Sequence, residues 1–416
     1  MIPRQTCAIV EAGSGEHDHV TAAYVLPGEN FIVYACQKLS TGENRLCVYS
    51  ETDQRASAPV QVCYNKKKTF GVVHGLHNDW VHTITSSPDG IYIGSIGHDK
   101  VVRLSVNTLN ADNASPFGAY KYGENYSSVV FFPGIPELIV LSVDTGVAST
   151  SKMIVKSWTP MPQPPWAFHS FWNTNCRVRS LSVSQCGLLL AMTYENNGMS
   201  MVWWCDTSRL TIKHLCDISC LEGCAHPTQP LIAAEQEAHN VAVFRVKPDS
   251  TVLLCQNRHL NRGKGSVCSM AWDKKNGNRL LVVSQHSLVV FHYITYPEDK
   301  HELLPVYEYM SGRTGLPFRF GGCGFWRRDS VFFIQEKKSR KQCLTIHQLP
   351  NGSCRREYAR VFLWASMRKV SFSPAKATEV KTTTSSMDLP NFFAHNPGLC
   401  VFVGKILLRY IMDRLH

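Results

Sequence analysis

The chain predicts an all-β fold closed into a ring of repeated units, and three observations carry that expectation. The stretch WVHTITSSPDGIYIGSIGHDKVVRLS (Trp80 to Ser105) places two alternating apolar runs around Ser87-Pro88-Asp89-Gly90 and a third after Gly97-His98-Asp99-Lys100. The same order of strand, turn, strand, tight polar turn and strand recurs along the chain. No segment sustains a helical period, whereas the units alternate with the period of two that strands require. Hydrophobic residues make up 44% and charged residues 18%, the balance of a globular chain, and the abundance of Val, Ile, Phe, Tyr and Thr favours strands over helices.

Taken in order, the units are His19 to Ser50, turning at Pro27-Gly28; the opening stretch; Tyr126 to Trp158; Val178 to Thr207, closing on Trp203-Trp204; Ser219 to Val246; Ser266 to Tyr293; and Phe318 to Leu349. An eighth starts at MRKVSFSP (Met367 to Pro374) and resumes at GLCVFVGKILLRYIM after Ala375 to Pro397. Eight units in 416 residues is one per about 52, longer than the ~40 to 45 usual for such a repeat, and long loops absorb the excess. The segment 375–397, rich in Thr and Ser, reads as a surface insertion within the last unit. Its Phe392-Phe393 pair either docks a partner or packs on that unit.

The opening stretch resembles the WD40 repeat. His77, Trp80-Val81, Ser87-Pro88-Asp89-Gly90 and Asp99 fall where that repeat has its Gly-His, first strand, turn and structural Asp, while Leu76 replaces the Gly and Ser105 the strand-ending Trp. The resemblance implies a single WD40-like β-propeller over 1–416 with seven or eight blades. Seven is the commonest number in the family; the unit count favours eight. It also implies that His77 and Asp99 form a structural blade network, the carboxylate being satisfied by turn amides and a histidine proton. A lone N-terminal strand usually completes the last blade in this family. Thr6 to Val10 is therefore expected beside the C-terminal hairpin, around Leu407 to Met412, which removes an exposed edge.

Several functions are disfavoured. The N-terminus has neither a secretory nor a transit pattern, and the apolar C-terminus is interrupted by Lys405 and Arg409, short of the ~20 residues of a membrane span. An intracellular chain, cytoplasmic or nuclear, with reduced cysteines is expected. His214, Cys216, Cys220, Cys224 and His226 have zinc-binding chemistry, but cysteines four apart on a strand lie about 13 Å from each other. Gly13-Ser14-Gly15 lacks the following helix of a phosphate loop, and His17-Asp18-His19 reads as a polar lead-in to a strand. Neither a Gly-x-Ser-x-Gly elbow nor a His-Glu-x-x-His motif occurs. No catalytic residue, metal or cofactor is expected.

Charge is unevenly spread. Of a net +11, residues 311–370 hold 13 Lys/Arg against 3 Asp/Glu. Arg327, Arg328, Lys337, Lys338, Arg340, Lys341, Arg355 and Arg356 form a candidate basic patch near Trp326, Tyr358 and Trp364. Such a patch holds phosphates and stacks bases, docks an acidic protein surface, or is merely a solvated face. The expected function is a non-catalytic scaffold subunit held by other protein subunits; the alternative is a nucleic-acid-associated subunit of a ribonucleoprotein or chromatin complex.

Overall fold

The strands LLLAMT (Leu188–Thr193) and RLLVVS (Arg279–Ser284) are buried at every position. A strand apolar on both faces needs a sheet against each face, and a set of sheets all under that demand is satisfied when the last packs on the first. The computed structural model shows that arrangement. It describes residues 7–10, 18–28, 31–38, 42–49, 77–106, 125–146, 150–157, 168–194, 198–236, 239–258, 260, 265–275, 277–310, 318–327, 330–336 and 342–349. The chain divides into two compact units, Met1–Arg360 and Val361–His416, and the described residues belong to the first.

After β1 (Cys7–Val10), the first sheet holds β2 (Asp18–Val25), β3 (Ile32–Lys38) and β4 (Glu43–Tyr49). The second holds β5 (Val81–Ser86), β6 (Tyr92–Gly97) and β7 (Val102–Val106). The third comprises β8 (Asn125–Phe132), β9 (Ile135–Asp144), β10 (Ser151–Ser157) and β11 (Phe168–Thr174). The fourth comprises β12 (Val178–Val183), β13 (Leu188–Thr193), β14 (Met199–Asp206) and β15 (Thr211–Ser219). The fifth has β16 (Gly223–Ala225), β17 (Leu231–Gln236), β18 (Asn240–Lys247) and β19 (Ser250–Asn257). The sixth has β20 (Val267–Trp272), β21 (Arg279–Ser284), β22 (Ser287–Thr295) and β23 (His301–Met310). In the seventh, β24 (Phe318–Trp326), β25 (Ser330–Glu336) and β26 (Gln342–Gln348) are joined by β1.

Each pair of successive sheets encloses its own apolar cluster. Ala22, Val33 and Ile84 lie between the first and second sheets, Ile96, Phe131 and Ile139 between the second and third, and Val140, Leu189 and Trp203 between the third and fourth. Leu190, Ile232 and Phe244 fill the next interface, Val243, Leu280 and Phe291 the one after, and Leu281, Val290 and Phe333 the sixth. Val20, Tyr34, Trp326, Phe332 and Leu344 then seal the seventh sheet onto the first. The all-β propeller expectation is met.

The count of eight is corrected: the described residues form seven sheets, and because the seventh packs directly on the first, no eighth stands between them. The eighth unit, the insertion 375–397 and Phe392-Phe393 lie outside the described residues. The strand partner is corrected as well. Cys7, Ala8, Ile9 and Val10 pair antiparallel with His347, Ile346, Thr345 and Leu344, not with Leu407 to Met412, because the seventh unit supplies the neighbouring edge.

The third to sixth sheets each have a fourth, outer strand that the three-strand template omits. Outer strands keep one face in water, and β15 and β23 accordingly mix exposed and buried positions.

His347 shows what burial in this core costs. Its side chain is fully covered, its Nε2 lies 2.5 Å from the Tyr307 hydroxyl, and the Tyr307 and Tyr309 rings lean on it. Burial pushes its pKa down to about 4. The folded chain keeps this imidazole neutral while the unfolded chain protonates it near pH 6.5, so its contribution to stability is present above that value and is lost as pH falls toward 4. At about 1.4 kcal/mol per pKa unit the loss is about 3 kcal/mol. Urea unfolding of wild type and His347→Gln at pH 7, 5.5 and 4 is expected to show a stability gap that narrows steadily toward acid.

Candidate protein-interaction site

One face of the ring is built by a repeated irregularity. In five inner strands the register slips at the same place, between Val20 and Ala22, Val81 and Thr83, Tyr126 and Ser128, Val178 and Ser180, and Val267 and Ser269. A bulge adds one residue and re-aims its side chain. The added residues are Thr21, His82, Ser127, Arg179 and Cys268, all near the start of an inner strand and hence at one mouth of the ring. At the opposite end Lys274 donates to the Tyr24 hydroxyl at 2.9 Å, tying the sixth sheet to the first past the inner edge of the seventh.

In the second sheet the mouth is held by the two residues that the repeat pattern singles out. His77 Nδ1 lies 3.1 Å from Asp99 Oδ1, and its Nε2 lies 3.0 Å from Ser95 Oγ. The backbone N–H groups of Asn78 and Val101 donate to the same carboxylate at 3.0 and 3.2 Å. Burial opposes ionisation of Asp99, but the His77 hydrogen bond and these amides outweigh it and hold its pKa below the usual value. Gly97 is required here, since a Cβ would come within 2.7 Å of Asp99 Oδ1 and 2.8 Å of His77 Nδ1. Asn44 Nδ2 of the first sheet donates to the His77 carbonyl at 3.1 Å. The network positions the exposed Trp80 indole, which meets the His98 ring edge-on at 6.5 Å, while His82 meets His98 at 5.2 Å. Burial, then the neighbouring His98 and Lys100, push the His82 pKa down to about 4, so its ring is neutral at pH 7.

The fourth sheet contributes a second cluster. The Arg177 guanidinium bonds Asp144 of the third sheet and lies 5.6 Å from the centre of the Tyr194 ring. Arg179 Nη2 donates to the Leu221 carbonyl at 3.0 Å and to Glu222 Oε2 at 2.6 Å. Glu222 stands beside Glu235, whose Oε1 accepts from the Val267 amide at 3.1 Å and lies 2.8 Å from His239 Nδ1. Burial chiefly, with Glu235 adding to it and Arg179 opposing, pushes the Glu222 pKa up to about 7. The carboxylates sit behind the guanidiniums: the Asp144 side chain is 12% exposed against 48% for Arg177, and that of Glu222 14% against 29% for Arg179. What the face presents is therefore positive charge beside exposed Tyr194, Met199 and Leu221, the aromatic-plus-Arg composition on which binding energy concentrates.

Of the candidate basic patch, Arg327 alone lies among the described residues. Arg327, in the β24–β25 turn, has φ of 55° and its guanidinium 4.7 Å from the Trp326 ring centre. Lys337, Lys338, Arg340 and Lys341 follow β25 in sequence. Those lysines and arginines, with Arg328, Arg355 and Arg356, lie outside the described residues. The candidate zinc cluster is dispersed: His214 Nε2 lies 2.9 Å from Asp217, His226 Nε2 donates to the Gly277 carbonyl at 2.7 Å, and burial pushes the Cys220 and Cys224 thiols up. Among the described residues no three His, Cys, Asp or Glu gather to hold a metal ion, and no helix is long and apolar enough to cross a membrane. Arg177, Tyr194 and Leu221 escaped sequence reading because they flank strands at separations of 17 and 27 residues; the one local signal was that Arg177 and Arg179 bracket the start of the fourth unit.

No family model and no curated protein matches the chain. Solved structures do. The β-propeller domain of Cps50 (Swd1) from Myceliophteria thermophila is matched with a TM-score of 0.56 at 10% identity, over 83% of this chain and all of that one. The fold shared with that domain is the β-propeller. The RRP9 WD40 repeats match with a TM-score of 0.53 at 13% identity over 82% of this chain and 97% of that one, and U3-55K with 0.51 at 13% over 82% and 98%. The likeness is one of fold at low identity, and most units lack the His77–Asp99 arrangement of the second sheet.

Removing one partner from that arrangement strands the other. Asp99→Ala and Gly97→Ala are each expected to lower stability by about 1 to 3 kcal/mol. In combination they lose little more than either alone, because both act on one network. Denaturant unfolding of the two single variants and the double variant checks this.

Proposed function

We propose that the chain is a non-catalytic interaction subunit of an intracellular multiprotein complex and that the mouth formed by the inner-strand bulges is its principal docking face. The observation that carries this reading is the cluster of Tyr194, Leu221 and Met199 beside the outward-facing Arg177 and Arg179. Cross-sheet links from Asp144 to Arg177, Arg179 to Glu222 and Glu235 to the Val267 amide hold that cluster in place, so a partner meets side chains whose ordering entropy is already spent. The likeness to propellers such as the RRP9 WD40 repeats supports an assembly role. In the second reading the basic residues of 311–370 hold nucleic acid; the local excess of 13 Lys/Arg over 3 Asp/Glu favours it, since such an excess suits phosphate contacts.

The test is affinity purification of the tagged chain from its native cells at moderate salt, with and without nuclease, for wild type and for a Tyr194→Ala, Leu221→Ala double variant. The expected outcome is a set of proteins that survives nuclease and falls about tenfold or more in the double variant, the loss of one hot spot. Partners that leave with nuclease, and that the double variant keeps, replace this reading with the nucleic-acid one. Lys337, Lys338, Arg340 and Lys341 are then the residues to neutralise.

A further inference from the structure

The outer strand β19 has the sequence STVLLCQN, eight residues without a charge or a proline. Two of its counterparts are blunted, since β15 carries Lys213 and Asp217 and β23 carries Glu302, Pro305 and Glu308; β11 (FHSFWNT) also lacks charge and proline. Charge and proline are the usual means of keeping an outer strand from pairing with another chain. β19 is the last strand of its sheet, hydrogen-bonded on one side to β18, and Val252 and Leu253 stand 37% and 47% exposed. The strand is firmly seated. Leu254, the extra residue of a bulge opposite Val243 and Phe244, turns inward with Cys255 onto the core between the fifth and sixth sheets, and Asn257 Nδ2 donates to the Leu303 carbonyl of β23 at 2.8 Å.

Two charges flank this apolar edge. Asp249 lies in the turn just before β19 and Arg258 just after it, both exposed. An antiparallel pairing of β19 with another β19, centred on Leu253 opposite its own copy with the bulged Leu254 outside the ladder, sets position 249 of each chain opposite position 258 of the other. Both ends of the pair then carry an Asp249 to Arg258 contact, and the polar positions 250 and 251 face 257 and 256. A foreign strand has no such built-in match. We infer that β19 is a self-association edge, joining two copies of the chain through one continuous sheet of eight strands. A single strand pair buries less than a standard protein interface, so the dimer is concentration-dependent rather than obligate. The inference goes beyond the docking function, and the oligomeric state of the purified chain tests it with no other partner present.

Sedimentation velocity of the full chain between about 1 and about 100 μM, where a small interface of this kind dissociates, reads the equilibrium. The expected result is a monomer that converts to dimer as concentration rises, with Leu253→Lys remaining monomeric while its thermal unfolding stays close to wild type. Asp249→Arg and Arg258→Asp singly place like charges opposite each other and are expected to weaken the dimer about tenfold, and the two together to restore it. A wild-type chain that stays monomeric over the whole range overturns the inference and leaves the edge to a strand from another protein. A dimer indifferent to Leu253→Lys, or a double charge exchange that fails to restore association, also overturns it.

Discussion

The structure rests on the two-sided burial of its middle strands. Leu188–Thr193, Arg279–Ser284 and most of Leu231–Gln236 are covered on both faces, so each sheet depends on the sheet before it and the sheet after it. A linear stack would leave two apolar faces in water; the cycle leaves none. The same demand governs where the chain's first strand goes. β1 pairs along β26, so the sheet formed by the last described strands also contains residues from the beginning of the chain, and the hydrogen-bonding edge of β26 is occupied.

The polar chemistry follows from this constraint. With apolar side chains filling the interfaces between sheets, polar groups are left to the strand ends, and there they link one sheet to the next. Asn44 holds the His77 carbonyl, Asp144 holds Arg177, Arg179 holds Glu222 and Glu235 holds the Val267 amide. In the two ionic links the carboxylate is more buried than the guanidinium, which makes the outward character of the mouth basic and aromatic although carboxylates are present in it. The bulges matter for the same reason, because they turn His82 and Arg179 toward the mouth where a regular ladder would aim them into a neighbouring sheet.

A propeller of this kind has two unlike regions available to partners. The mouth is rigid, polar at its base and studded with Trp80, Tyr194 and Leu221; the rim is a series of outer strands whose free edges differ in charge. Docking at the mouth uses side chains held by cross-sheet links, whereas pairing at the rim uses main-chain groups that any extended segment can satisfy. The two uses do not compete for residues, since the mouth cluster lies at strand ends and β19 runs along the outside.

What the sequence by itself determined was the repeat. Seven units read from alternation and turn chemistry match the three inner strands of seven sheets closely, from His19 to Ser50 for β2 to β4 through to Phe318 to Leu349 for β24 to β26, because strand periodicity and glycine-bearing turns are local properties. His77 and Asp99 were legible for the same reason, being set by a local motif. Outer strands such as STVLLCQN were not, since half-exposed edges lack the apolar alternation that marks the inner ones. The number of sheets, the pairing of Cys7–Val10 with β26 and the Arg177–Tyr194–Leu221 cluster were decided by tertiary structure alone. Each depends on contacts between segments far apart in the chain, and burial against a neighbouring sheet, not any local pattern, selects among the arrangements that the repeat permits.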